Sequence, residues 1–216
     1  MAHKIIPIRK LRLRDMILNN DIYYGLSDGL AQLSVPDQFR IGRRRYPVPQ
    51  TVDDFTGAIC YGQRLFFNRE EKNDYGVILR VIEGYYYSIV TGEKWDEDNA
   101  LVFGKNIITC AVCELYPVAM HLTKLIFAMV ERERDLLHRQ PSKTELAAGI
   151  EKLNLFTDLI AIDFLRDAMK ITVEEVMQTS YKECLVRFML AKEIEDYRLR
   201  YVEMLDVEAK QKTKHK

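Results

Sequence analysis

The four residues Lys170-Ile171-Thr172-Val173 constrain this chain more than any other stretch. Before them, residues 141–170 carry apolar side chains at the 3.6-residue rhythm of a core-facing helix. After them, residues 173–205 resume that rhythm. Thr172 interrupts the two. Its hydroxyl can accept from the backbone N–H of Glu175 while the Glu175 carboxylate accepts from the N–H of Thr172, the spacing of a capping box. Ile171 and Val176 occupy the staple positions on either side. Two helices meeting at a specified corner could be a DNA-reading motif, which needs Arg, Lys, Asn or Gln in the first turn of its second helix. Here that turn offers Val173, Glu174 and Glu175. Carboxylates there repel phosphates, so the corner is read as structural and nucleic acid is not its expected partner.

A capped start recurs twice. Ser142-x-x-Glu145 is a second capping box, and Thr51-Val52-Asp53-Asp54 places an N-cap before acidic residues that complement the helix dipole. From Thr51 a helix is predicted through residue 68, with Phe55, Ile59, Gly62 and Phe66 near one face. Residues 74–91 fit a helix aligning Ile78, Val81, Ile82, Tyr85 and Ile89 and stopping at Gly92; a hairpin across Glu83-Gly84 is the alternative, and the helix is preferred. Residues 100–139 read as helix in two pieces divided at Pro117.

Residues 1–50 differ. They hold nine basic against four acidic side chains, although Lys+Arg and Asp+Glu are both 32 over the 216 residues. Alternating apolar and basic residues around Pro7 suit a short strand or an exposed arm. Phe39 to Tyr46 suits a hairpin turning at Gly42, with Arg43, Arg44 and Arg45 beside the turn as solvated groups or as contacts for an acidic partner or a nucleic acid. The expected fold is mainly α: a helical bundle over 51–205, a basic arm and β-hairpin over 1–50, and a frayed basic tail over 206–216.

With 48% hydrophobic and 30% charged residues the chain is globular. The N-terminus lacks the apolar stretch of a signal peptide, and the apolar runs are broken well short of the roughly eighteen residues of a membrane span, so no membrane partner is expected. Cys110 and Cys113 form a C-x-x-C without a second one or a histidine pair; with Cys60 and Cys184 they are read as reduced core thiols, the pair on successive turns of a helix. No phosphate loop, nucleophile elbow or H-E-x-x-H is present, so neither an enzyme nor a cofactor or metal is expected. What remains is surface. In the last helix Leu190, Ile194, Tyr197, Tyr201 and Met204 or Leu205 form one apolar stripe, which is core if the helix lies on its own bundle and a helix-in-groove or self-association face if it projects.

The stretch QFRIGRRRYPVPQTVDDFTGAICYGQRLFF resembles the opening of tail assembly chaperones of long-tailed bacteriophages: a short hairpin, then Val-Pro, then a Thr-capped helix. The later stretch AGIEKLNLFTDLIAIDFLRDAMKITVEEVMQTSYKECLVRFMLAKEIEDYRLRY is similar to their C-terminal part in its helix, its Ile-Thr-x-x-Glu-Val corner and its Tyr-rich last helix. The likeness covers Gln38 to Tyr201; the first thirty or so residues have no counterpart in it. It implies a non-enzymatic protein of the host cytoplasm that binds the helical tape measure protein, keeps it soluble until the tail tube assembles, forms homo-oligomers, and occurs in short and frameshift-extended forms. It transfers no site residues. Ile194, Tyr197, Tyr201 and Met204, with Arg43, Arg44 and Arg45, are the partner-binding candidates. The alternatives are a structural virion component, such as a connector or head-completion protein, and a nucleic-acid-binding regulator using the basic N-terminal region.

Overall fold

A computed structural model describes residues 10–17, 29–30, 32–69 and 74–214. The arm before Lys10 and much of the loop expected around Gly25 lie outside them. The chain is mainly α with one small antiparallel hairpin, as expected.

Helix α1 (Leu13–Ile17) precedes the hairpin of β1 (Gln38–Ile41) and β2 (Arg44–Pro47), which turns at Gly42 with φ 62°. Residues 13–17 are therefore helix rather than strand or free arm. Leu11, Leu13 and Met16 are buried in the main core, and Arg12 forms a backbone bridge with Ala111.

Residues 74–91 form helix α4 (Asp74–Thr91), and Gly92 stops it at φ 73°. All seven residues from Val81 to Tyr87 are buried, so this is the central helix. Its β-branched and aromatic residues would suit a strand, but packing on all sides decides the outcome. Tyr85 stacks on Phe55 with ring centroids 5.2 Å apart. Tyr86 sits edge-on to Tyr85 and donates to the Pro47 carbonyl at 3.1 Å, tying the hairpin to the core.

Around α4 pack α5 (Glu97–Ile107) and α6 (Val112–Leu137). The division in this region falls at residues 108–111, not at Pro117, which lies inside α6. As the sixth residue of α6, Pro117 lies past the orphan donors of the first turn and removes one intrahelical bond, to the Cys113 carbonyl, yet the helix runs on through it. By length and composition α6 is apolar enough to cross a bilayer, which counting unbroken runs does not reveal. Leu115, Val118, Leu122, Leu125 and Met129 instead bury its apolar stripe in the chain's own core.

Two helices expected to be continuous are each broken, and the breaks explain one another. The capped helix at Thr51 ends as α2 (Val52–Ala58), and α3 (Tyr61–Phe67) starts after Ile59-Cys60. Beyond the corner, α9 (Val173–Gln178) ends and α10 (Tyr181–Lys214) starts after Thr179-Ser180. The Tyr61 N–H donates to Thr179 O at 2.9 Å and the Tyr181 N–H to Ile59 O at 3.1 Å. Each break thus satisfies one orphan donor at the start of the other's helix. The tail expected to fray is the end of α10, helical to Lys214.

The stretch before the corner is also divided. It comprises α7 (Lys143–Ala147), a 3-10 segment over Ile150–Phe156 that starts from Gly149 at φ 84°, and α8 (Thr157–Met169). The capping boxes at Thr51, Ser142 and Thr172 all form. At the corner itself Lys170 is left-handed, φ 58°, and ends α8. Gln178 then clamps both backbone groups of Trp95, accepting from its N–H at 3.0 Å and donating to its carbonyl at 2.6 Å. Trp95 packs on Phe66 and against Gly62, where a Cβ would meet the indole at 2.5 Å and the Met177 carbonyl at 2.9 Å. The corner is docked onto the core through that indole. A smaller second core of Tyr61, Leu165, Val176 and Cys184 fills the space beneath it, with Ile171 partly buried alongside.

Candidate helix-binding surfaces

Helix α10 has two unlike halves. In its first two turns Tyr181 and Cys184 are buried, and Phe188 stacks on Phe164 of α8 at 5.5 Å. Past Lys192 every described side chain except Asp196 is exposed, over roughly 30 Å of helix at about 1.5 Å per residue. The stripe of Leu190, Ile194, Tyr197, Tyr201, Met204 and Leu205 is therefore not core: Tyr197 is 60% exposed and Met204 64%. Tyr197 and Tyr201 stack on each other, centroids 6.2 Å apart at 17°.

Arg43, Arg44 and Arg45 are exposed at and beside the hairpin turn. Arg40 lies opposite Arg45 across the ladder, a like-charge pair that cross-strand packing does not favour. Arg40 Nε donates to the Gly42 carbonyl at 3.2 Å, and among the described residues none of the four has a carboxylate within 4.0 Å. The hairpin packs on α4 and α6, whereas the stripe lies beyond the packed part of α10. The two sets of predicted partner residues sit on separate elements.

A third surface is one that reading the sequence missed. Between α3, the end of α6, the 3-10 segment, α8 and α10 lies an open apolar groove of about 540 Å³. Tyr61, Phe164 and Phe188 line it with Leu153, Ile160 and Ala191. At its polar edge Arg64 and Glu133, each only 13% exposed, form an ion pair in which Arg64 Nε donates at 2.9 Å. Burial works against the Arg64 charge, but the hydrogen bond and charge of Glu133 outweigh it and hold the guanidinium pKa above its ordinary value. Burial likewise pushes the Tyr61 hydroxyl up, keeping it a neutral donor. Beside the groove Leu155 is 86% exposed, with Phe156 and Leu159 exposed next to it. The apolar rhythm of residues 146–160 predicts a core-facing helix; the left-handed Gly149 and the 3-10 segment it starts divide that helix and leave Leu155, Phe156 and Leu159 exposed.

No family model, curated protein or solved structure matches this chain.

The thiols and histidines are placed differently from expectation or already engaged. Cys110 precedes α6 rather than sharing a helix with Cys113, its sulfur 3.7 Å from the Arg40 carbonyl, and burial pushes its thiol up to about 11. Cys60 and Cys113 are only partly buried; all four cysteines are free. His121 Nε2 lies 2.7 Å from the Pro49 carbonyl, and among the described residues no three His, Cys, Asp or Glu side chains converge as a metal would require. What the described surface offers is apolar area at helical spacing, chemistry suited to holding another helix.

Proposed function

We propose that this chain is a non-enzymatic helix-binding chaperone whose client is the tape measure protein of a long-tailed phage, held in the host cytoplasm until the tail tube forms around it. The observation that carries this reading is the open groove between α8 and α10 with its exposed apolar margin at Leu155, Phe156 and Leu159. A client helix presenting apolar residues at i, i+3, i+4 and i+7 would lay them along that surface. Burying apolar area at about 25 cal/mol per Å² supplies the affinity, and a shallow site on the outside of the fold lets the client leave as the tube competes for it. The groove's aromatic residues present flat faces that accept differing side chains, which suits a client of many similar helices.

Titration calorimetry with peptides from the tape measure sequence tests the reading. Binding with a negative heat-capacity change, weakened by Leu153→Glu plus Ile160→Glu, is the expected result. Both side chains are about half exposed, so the variant keeps its fold. Equal binding by the variant, or none by the wild type, would sink the proposal.

A second reading rests on the hairpin arginines, which could hold a nucleic acid or an acidic neighbour in the virion. Binding to DNA that falls steeply with salt and is lost in Arg43→Ala/Arg44→Ala/Arg45→Ala would favour it over the chaperone.

A further inference from the structure

The distal stripe of α10 is set apart from the groove by geometry. Tyr181, Cys184 and Phe188 face the body of the molecule. Leu190 follows Phe188 by two residues, about 200° round the helix, and Ile194, Tyr197, Tyr201 and Met204 continue its line. The stripe thus lies on the face turned away from the chain's own core, where no bending of the helix toward the body would cover it.

Its spacing is four, three, four and three, the alternation of the inward positions of a heptad, with Ile194 and Tyr201 at a and Leu190, Tyr197 and Met204 at d. In that register Glu193 occupies g and Arg198 the following e, the two positions that meet across a parallel pair. Arg200 at the next g falls opposite Leu205 at e, which its aliphatic stem can cover. Use of the whole stripe selects direction. An antiparallel pair that layers Ile194 on Met204 would set Arg198 against Arg198 and Arg200 against Arg200 and leave Leu190 opposite Glu208, while the register that layers Leu190 on Tyr201 leaves Met204 opposite Arg187; only the parallel pair seats all five stripe residues on one another. Within one chain Arg198 has only a long contact of 3.9 Å to Glu195, while Glu193 accepts from Arg200 at 2.9 Å but keeps a largely exposed carboxylate that a second guanidinium can share.

We infer that α10 pairs with α10 of a second copy as a parallel, in-register two-stranded coiled coil over Leu190 to Leu205. The bodies then lie on opposite outer sides, because each packs on the far face of its own helix. The groove, lined by Phe188 and Ala191 on that far face, stays open in both copies. The dimer would offer two client sites on one stem, and the inference stands whether or not the client is a tape measure protein.

Sedimentation equilibrium of the full chain, with disulfide trapping, tests this. Expected are a dimer at micromolar concentration, rapid cross-linking of Tyr197→Cys under mild oxidation, and none beyond wild type for Glu195→Cys, whose b position faces outward. Glu193→Arg should raise the dissociation constant roughly tenfold, and Glu193→Arg combined with Arg198→Glu should restore it. Leu153→Glu plus Ile160→Glu should leave the dimer intact, so that failure of the groove reading and failure of this one are seen separately. A monomer at tens of micromolar would overturn the inference, as would a dimer in which Tyr197→Cys fails to cross-link or the charge swap fails to rescue.

Discussion

Thr172 shows how much one side chain can specify. Its hydroxyl accepts from Glu175 N–H at 3.2 Å, and the Glu175 carboxylate accepts from Thr172 N–H at 2.8 Å. Thr172→Ala should lower stability by about 1 kcal/mol in urea unfolding with an unchanged denaturant slope. Two residues earlier, Lys170 holds a left-handed conformation that costs a non-glycine residue about 1 kcal/mol or more. Lys170→Gly should therefore stabilise the chain by several tenths of a kcal/mol, the opposite sign to the usual glycine substitution in a helix. Local rules of this kind were legible: the capping boxes at Ser142 and Thr172, the N-cap at Thr51, the Gly42 turn and the Gly92 stop follow from residue types at fixed spacing, whereas the return bond from Asp54 that completes a third box was not read.

Among elements, α4 was legible because its periodicity agreed with a stop signal at its end. The breaks at Ile59-Cys60 and Thr179-Ser180 were not, since each exists through hydrogen bonds to a segment more than a hundred residues away. Pro117 misled because a proline inside a helix removes one backbone bond without having to end the helix, and α6 continues through it. For the same reason of context, the apolar rhythm of α8 and α10 was legible while its direction was not: periodicity says that one face is apolar, and only the fold says whether anything covers it. Past Lys192, α10 leaves every described side chain but Asp196 exposed. A chain ending at Lys192 should melt within a few degrees of the full one by circular dichroism and lose self-association. A large loss of melting temperature would show that residues 193–214 support the body.

For the molecule as a whole, the core is unusually rich in tyrosine held neutral. Burial raises the hydroxyls of Tyr61, Tyr86 and Tyr181 well above the ordinary value of about 10, and Tyr85 to about 12. In the unfolded chain these groups ionise near pH 10, whereas the folded chain retains their protons. The stability they contribute is fully present below pH 10 and is lost as pH rises through their folded values. Alkaline titration should show the buried tyrosines ionising only in one cooperative step that coincides with loss of helical signal. Smooth ionisation of all tyrosines with the helix intact would contradict the packing described for α4. At neutral pH these buried tyrosines stay protonated, and the α8–α10 groove, the distal stripe and the arginine hairpin are the described surfaces on which the proposed binding rests.

The most direct test of a helix-holding role is the soluble fraction of the tape measure protein when co-expressed with this chain. The wild type should raise that fraction severalfold, and Leu153→Glu plus Ile160→Glu, expressed to the same level, should not. An equally insoluble tape measure protein in both cases, or equal rescue by the groove variant, would contradict the account.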